Sequence, residues 1–336
     1  METWVLLRNI WFVLIGVLLA GYSLLDGFDL GVGVLFPFLA RNDGEKTILL
    51  GSVGPFWDGN EVWLLTGGGA LFAAFPHAYA TVFSGFYLAL MVVLFALILR
   101  AVSLEFRAHD PARKKIWEGA FVAGSFLPAL LFGVALGNVV AGVPIGPGME
   151  YAGTFFTLLR PLPLVFGLLG LAAFLLHGSA WAALKTDGEL RLRARKAALV
   201  TAFAAGACFL LSFIAVWIYL PGVLGKIPAW LFSVLFVLFL ILLQSAVRRG
   251  RDGAAFALSS AAFLSLWGVV GSIQYPNLVR ATDPALSLTI ANSSSSALTL
   301  KVMLVIALVG MPFVVGYTVY AYRVFKGKVR PDGGGY

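Results

Sequence analysis

The chain has 336 residues, of which 60% are hydrophobic and only 12% are charged, and its mean hydropathy is +0.93. These values lie far outside the range of soluble globular proteins and indicate an integral membrane protein. The net charge of +8 arises from short basic clusters between apolar segments, a pattern that favours a membrane protein and argues against a nucleic-acid partner. The one cysteine, Cys208, lies in an apolar run, so neither a disulfide framework nor a cysteine metal site is available.

Nine apolar segments are long enough to cross a bilayer, which takes about 20 residues. The first, residues 10–36, is too long for the core of a signal peptide and is predicted to remain as a membrane helix. No charged residue occurs between Glu61 and Arg100, and one helix over that stretch would be about twice as long as a bilayer core is thick. A tight turn at Pro76 is therefore predicted, giving a helical hairpin. The eight segments after the first are predicted at 56–74, 78–99, 119–142, 162–183, 198–219, 228–247, 254–274 and 299–322.

The distribution of basic residues predicts how the chain is oriented in the membrane. With nine spans, nineteen of the 24 Lys and Arg residues fall on one side, and the other side holds only Arg8, Arg160, Lys226, Arg280 and Lys301. Basic residues accumulate on the cytoplasmic side, so the N-terminus is predicted outside and the C-terminus in the cytoplasm. No soluble domain is predicted. The longest external segment, about residues 275–298, is predicted to lie on the membrane surface as a turn plus a short helix.

Four acids lie within or beside apolar segments, where an ionisable residue costs about 2.5 to 3.5 kcal/mol and by default marks a functional site. Asp26 and Asp29 are three residues apart, as are Asp58 and Glu61, so each pair shares a helix face. With Glu105, all are predicted on the cytoplasmic side. Two interpretations remain open: a proton relay, or acids that cap helix ends beside glycine.

Other polar and small residues give weaker signals. A haem or metal site needs several converging ligands, and His177 has no matching ligand at helical spacing. A hydrogen-bonded packing role is therefore predicted for His177, and no metal site is predicted within this chain. Gly31, Gly33 and the glycines of "TGGGALF", residues 66–72, are predicted to let helices approach closely.

Several ordered motifs carry a family resemblance. They are "LLDGFDLGVGVL", "GPFWDGNEVWLLTGGGALFAAFP" followed by "YATVFSGFY", "LGNVVAGVP" and "LSLTIANSSSSALTLKVM". Together with the nine predicted spans and the short basic loops, they resemble subunit II of the cytochrome bd type quinol oxidases over nearly the whole chain.

This resemblance implies an all-α membrane protein with nine transmembrane helices. Two four-helix bundles, an external loop, a peripheral ninth helix and a cytoplasmic tail would occupy residues 1–142, 160–275, 276–298, 299–322 and 323–336. The resemblance also implies a heterodimer with subunit I in the bacterial cytoplasmic membrane, which oxidises quinol and reduces dioxygen to water with protons from the cytoplasm. Haems b and d would belong to subunit I. A structural quinone in this chain and small accessory subunits are left open.

The resemblance also implies roles for individual residues, and no complete active site in this chain. Asp58 and Glu105 would belong to the cytoplasmic proton pathway, while Asp26 and Asp29 would be buried polar structure with a share in proton conduction. The remaining motif residues are assigned as structural: Trp57, Gly59, Asn60, Glu61 and Trp63. Relatives can carry Gln in place of Glu61, so an obligatory acid is not implied there. From the residues alone, a stand-alone proton-coupled transporter and a purely structural scaffold remain alternatives.

Overall fold

The computed structural model describes residues 2–329, and this part of the chain is almost entirely helical. Met1 lies outside the described residues, as do residues 330–336, which are half of the predicted cytoplasmic tail. The described helices are α1 (Glu2–Leu39), α2 (Asp43–Val53), α3 (Trp57–Ala74), α4 (Pro76–Gly85), α5 (Tyr87–His109), α6 (Lys114–Ala141), α7 (Pro161–Lys185), α8 (Gly188–Tyr219), α9 (Ile227–Arg248), α10 (Asp252–Gln274) and α11 (Ala297–Val324).

The predicted segments coincide with these helices, with one division and one addition. The third predicted segment is divided between α4 and α5 at Phe86, although the hydrogen bonds Phe86 N to Val82 O and Leu90 N to Phe86 O continue across the break. The additional helix, α2, was not predicted because it is short and polar at its start. Its N-cap is Asn42, whose side chain accepts a hydrogen bond from the Glu45 amide.

Eight helices in the described part of the chain are long and apolar enough to cross a membrane: α1 and α5 to α11. The predicted second span, α3, is not among them, because Asp58, Asn60 and Glu61 occupy its first turns. The predicted turn at Pro76 is confirmed: α3 ends at Ala74, and Pro76 begins α4.

Close helix packing depends on glycine, as predicted. A Cβ atom on Gly31 of α1 would lie 2.0 Å from the Phe174 carbonyl oxygen of α7, and one on Gly33 would overlap the Ser125 side chain of α6. In the 66–72 run the effect is confined to Gly67, which packs on Leu19. Helix α7 therefore lies in the middle of the protein, packed against α1, α6, α8 and α10.

The segment predicted to be external, residues 275–298, differs from its prediction. It contains a two-stranded antiparallel sheet, β1 (Asn277–Val279) and β2 (Leu288–Thr289), with a single 3₁₀ turn at Pro284–Leu286 where a short helix was predicted. Val279 and Leu288 are paired and buried, so the backbone here forms an extended ladder rather than a helix. The prediction of a short helix was therefore wrong except for this one turn.

Candidate functional site

A buried arginine lies at the centre of the candidate site. Arg100, in the second half of α5, has only 1% of its surface exposed. A Cβ on Gly124 of α6 would lie 2.7 Å from the Arg100 amide nitrogen, so α6 packs directly on the backbone of α5 at this point. From the sequence, Arg100 was expected among the loop cations, because the apolar run of the third segment stops there. The structure instead continues α5 to His109 and encloses the guanidinium.

Arg100 forms ion pairs with two of the four predicted acids. Its Nη2 atom lies 2.6 Å from Asp26 Oδ1 of α1 and 2.7 Å from Glu61 Oε1 of α3. Asp26 is fully buried, whereas a quarter of the Glu61 side chain is exposed. A buried charge is stable only when paired, so Arg100 explains how α1 and α3 tolerate acids.

Asp29 is held by a neutral partner. Asn60 of α3 donates hydrogen bonds from Nδ2 to Asp29 Oδ2 at 2.8 Å and to the Leu25 carbonyl at 2.9 Å. The Tyr322 hydroxyl of α11 donates to Asn60 Oδ1 at 3.3 Å. Asp26, Asp29, Asn60, Glu61 and Arg100 thus form one assembly, called the buried polar cluster below, which links α1, α3 and α5.

The buried polar cluster contains more hydrogen-bonding atoms than its members satisfy. Among the described residues, Asp26 Oδ2, Asp29 Oδ1, and Nε and Nη1 of Arg100 are buried without a hydrogen-bond partner, as is the nearby Tyr22 hydroxyl. Acceptors and donors occur side by side in this set. Buried donors and acceptors of this kind are normally hydrogen-bonded to a partner or to ordered water.

Asp58 and Glu105 lie outside the buried polar cluster. Both side chains are exposed, Asp58 in the first turn of α3 and Glu105 in the last two turns of α5. Asp58 precedes Glu61 by three positions on one helix, so the two acids are neighbours on its surface. The structure thus brings Asp26, Asp29 and Glu61 together and leaves Asp58 and Glu105 on the surface.

The remaining motif residues differ in how far they are buried. Trp63 packs on α1, where a Cβ on Gly21 would lie 2.4 Å from its ring. Gly59 is exposed on α3, and a Cβ there would meet no atom within 4 Å. Trp57 is half-buried at the start of α3. Trp63 therefore packs inside the chain and Asn60 is hydrogen-bonded there, whereas Gly59 lies on the surface.

A second group of charges joins α2 to the adjoining ends of α5 and α6. Arg107 binds Asp43 at 2.6 Å and Glu118 at 3.0 Å, and Lys114 binds Asp43 at 2.9 Å. The hydrogen bond from Lys114, with the Arg107 charge nearby, holds the pKa of the Asp43 carboxyl below its usual value. Asp43 therefore remains ionised at neutral pH. Its contribution to stability is lost only as the pH falls through that lowered pKa.

Comparison with known proteins identifies the family. The family model described as cytochrome bd terminal oxidase subunit II matches residues 7–325. The chain belongs to this family. Cytochrome bd-I ubiquinol oxidase subunit 2 of Escherichia coli is 35% identical over 97% of this chain and 96% of that protein. Cytochrome bd ubiquinol oxidase subunit 2 of Bacillus subtilis is 36% identical over 96% of this chain and 97% of that protein.

Solved structures support the fold of this subunit II family member. The bd oxidase from Geobacillus thermodenitrificans contains a chain that superposes with a TM-score of 0.80 at 17% identity, covering 95% of this chain and 98% of that chain. The superposition shows a shared fold, and at this low identity it shows the fold alone. The resemblance stated from the sequence motifs is confirmed by the family match and the two relatives.

The bd oxidase family implies haem, and the histidines of this subunit II chain do not fit an axial ligand. His177 is fully buried, and both ring nitrogens are already hydrogen-bonded, Nδ1 with Ser259 Oγ at 2.8 Å and Nε2 with the Leu24 carbonyl at 2.9 Å. The packing role predicted for His177 is confirmed. His77 and His109 are exposed near helix ends. Within residues 2–329, no group of three or more His, Cys, Asp or Glu side chains is arranged to hold a metal ion.

Proposed function

We propose that this chain is the second subunit of a bd-type quinol oxidase in the bacterial cytoplasmic membrane. Together with a haem-bearing subunit I, it oxidises quinol and reduces dioxygen to water, contributing to the proton-motive force. The family match over residues 7–325 favours this function over a stand-alone transporter. The observation that carries the role of this chain is the buried polar cluster, which reaches the surface of α3 at Glu61.

The proposal includes the membrane arrangement. In it, α3 is the second span, between α1 and the combined α4 and α5, and α6 completes the first bundle of four. Helices α7 to α10 form the second bundle, and α11 is the peripheral ninth helix. The excess of basic residues at one end supports an external N-terminus and a cytoplasmic C-terminus. Within the second bundle α7 packs on α8 and α9 packs on α10, and α7 also packs on α1 and α6 of the first bundle.

Haems b and d are proposed to lie in subunit I. The hydrogen bonds on His177 support this placement, since they leave neither ring nitrogen free for iron. We expect reduced-minus-oxidised spectra to show haem b and d bands in membranes that contain this chain with its subunit I, and none with this chain alone. Haem bands from the chain alone would contradict the placement, and no bands in either sample would contradict the oxidase function.

The proposed proton pathway begins at the surface and ends at the buried polar cluster. Asp58 and Glu105 are exposed at the cytoplasmic ends of α3 and α5 in the proposed orientation, where they can take protons from water. Glu61 follows Asp58 by one turn and is the member of the cluster with surface exposure. Its carboxyl and that of Asp26 bind the same Arg100 nitrogen, so Glu61 brings the surface end of the pathway next to the buried acid.

The charges of the cluster suit it to hold protons. The cluster contains three carboxyl groups and one guanidinium. Arg100 pairs with Asp26 and Glu61, whereas Asp29 has the neutral Asn60 as its partner. An unpaired carboxylate is costly in a medium that poorly solvates charge, so the excess of acids over cations suits this cluster to take up a proton and pass it on.

The exposed face of α3 is the proposed contact with subunit I. Asp58, Val62, Leu65 and Phe72 recur at helical spacing and are all exposed. Gly59 lies beside them without a neighbour, so the backbone of a second subunit can approach closely there. A subunit seated on this face would cover Asp58 and receive protons from it.

Replacing Asp58 by Asn is expected to lower oxidase turnover on the order of 100-fold with unchanged haem content, since the amide keeps the shape but cannot carry a proton. The measurement is oxygen consumption with quinol, normalised to haem. Glu189→Gln removes an exposed acid at the start of α8 and should leave turnover unchanged. Equal turnover in Asp58→Asn and Glu189→Gln would instead support the purely structural scaffold.

A further inference from the structure

A groove of about 590 Å³ opens between the end of α1 and the start of α6, apart from the buried polar cluster. At one end its walls carry the basic side chains of Arg41, Lys46 and Lys115. Along its length the walls are apolar, with Phe36 on one side and Phe126 on the other. The groove is thus basic at one end and apolar along the rest of its length.

The basic end of the groove carries uncompensated positive charge. The one acid in the wall, Glu118, is already bound by Lys46 at 2.7 Å and by Arg107 at 3.0 Å. Within residues 2–329, the side chains of Arg41 and Lys115 form neither a hydrogen bond nor an ion pair, and both residues are exposed. Two cations are therefore free to bind an anion at this end.

The groove also lies at the depth where a lipid headgroup would be. The apolar run of α1 ends at Leu39, two residues before Arg41, and Phe38 just before it is 74% exposed. Trp117 is two positions after Lys115 on α6 and so lies at a similar level along the helix, and tryptophan is enriched at membrane interfaces. A cation at this level meets lipid phosphates, and a side chain deeper in the groove meets acyl chains.

We propose that this groove binds one anionic phospholipid. Its phosphate is held between Arg41 and Lys115, and one acyl chain lies along the wall formed by Phe36 and Phe126. Inorganic phosphate would satisfy the cations but not the apolar wall, so the groove favours the lipid. Such a lipid joins α1 to α6 at the end where α2 packs on the protein through the buried side chains of Leu49 and Val53 and through charged side chains.

Lipid retention by the purified oxidase complex tests the proposal. The complex is exchanged into nanodiscs with equal phosphatidylglycerol and phosphatidylcholine, extracted in mild detergent, and analysed for bound lipid by native mass spectrometry. The charge variant is Arg41→Gln with Lys115→Gln. The shape variant is Gly119→Leu, which fills the groove where a Cβ meets no atom within 4 Å. A matched control, Lys196→Gln with Arg251→Gln, removes two exposed cations at the same end of the protein.

We expect the unmodified complex and the control to retain phosphatidylglycerol over phosphatidylcholine. The charge variant should lose roughly tenfold or more of this affinity, since each basic residue near an anionic membrane contributes substantially to binding. Gly119→Leu should also lose affinity for phosphatidylglycerol, although its charge is unchanged. Excess inorganic phosphate should not displace the lipid. Equal loss in the control, full retention in Gly119→Leu, displacement by inorganic phosphate, or no preference in the unmodified complex would each overturn the proposal.

Discussion

Replacing Arg100 by Met is expected to lower the free energy of unfolding by about 3 to 5 kcal/mol, because it leaves Asp26 and Glu61 without their countercharge. A loss of this size is a large fraction of the stability of a typical protein. The complex should therefore accumulate poorly in membranes. The measurement is unfolding of the purified complex in mixed micelles, together with the yield of assembled, haem-containing enzyme.

Two further variants separate charge from shape in this prediction. Arg113→Met removes an arginine that is 70% exposed and whose pair with Asp110 spans 3.8 Å, so it should cost about 0 to 1 kcal/mol. Combining Arg100→Met with Asp26→Asn and Glu61→Gln removes every charge of the triad and should recover part of the lost stability. If the triple variant were less stable than Arg100→Met, the destabilisation would come from packing, and the electrostatic explanation would be wrong.

The ion pairs of Arg100 with Asp26 and Glu61 were not predicted from the sequence. Arg100 is 74 positions from Asp26 and 39 from Glu61, and no local pattern relates such distant residues. A signal was nevertheless present. Glu61 and Arg100 bound the longest uncharged stretch of the chain, and a helical hairpin over that stretch brings its two ends to one side of the membrane. The predicted turn at Pro76 therefore implied that the two residues were neighbours.

The helices themselves were predictable, since an apolar run of about 20 residues in a membrane protein has few alternatives to a helix. The division at Phe86 was not, because the apolar pattern continues through it and helical hydrogen bonds span it. Helix α2 was not predictable either, because it is held in part by charges from distant segments, including Arg107 and Lys114. Such tertiary contacts decide the short elements, whereas hydropathy decides the long ones.

For the candidate site too, the sequence predicted the local features and not the contacts between helices. The motif spacing placed Asp26 and Asp29 on one helix, and burial of both is confirmed. It did not show that Asp26 binds an arginine while Asp29 binds Asn60. Residues three apart on a helix share a face, but the neighbours of that face come from other helices. The participation of Tyr322, from the far end of the chain, could not be read from the sequence for the same reason.

Replacing Gly31 by Leu is expected to abolish assembly of the complex, because α1 and α7 touch backbone to backbone at this position. A Cβ on Gly31 would lie 2.0 Å from the Phe174 carbonyl oxygen and 2.9 Å from Gly178 Cα. Neither atom belongs to a side chain that can rotate away, so the helices must separate. The loss should reach at least about 3 kcal/mol, the upper end of ordinary overpacking. The measurement is the amount of haem-containing complex per membrane protein.

Position-matched variants on the same helices test whether close contact, rather than the loss of glycine, causes the effect. A Cβ on Gly16 of α1 would meet no atom within 4 Å, so Gly16→Leu should assemble normally. Gly178→Leu should fail as Gly31→Leu does, since its Cβ would lie 2.4 Å from the Gly31 carbonyl carbon. Normal assembly of Gly31→Leu would show that α1 and α7 are farther apart in the complex. Because the same crossing of α1 and α7 lies close to Asp29, a variant that separates these helices should also disturb the buried polar cluster.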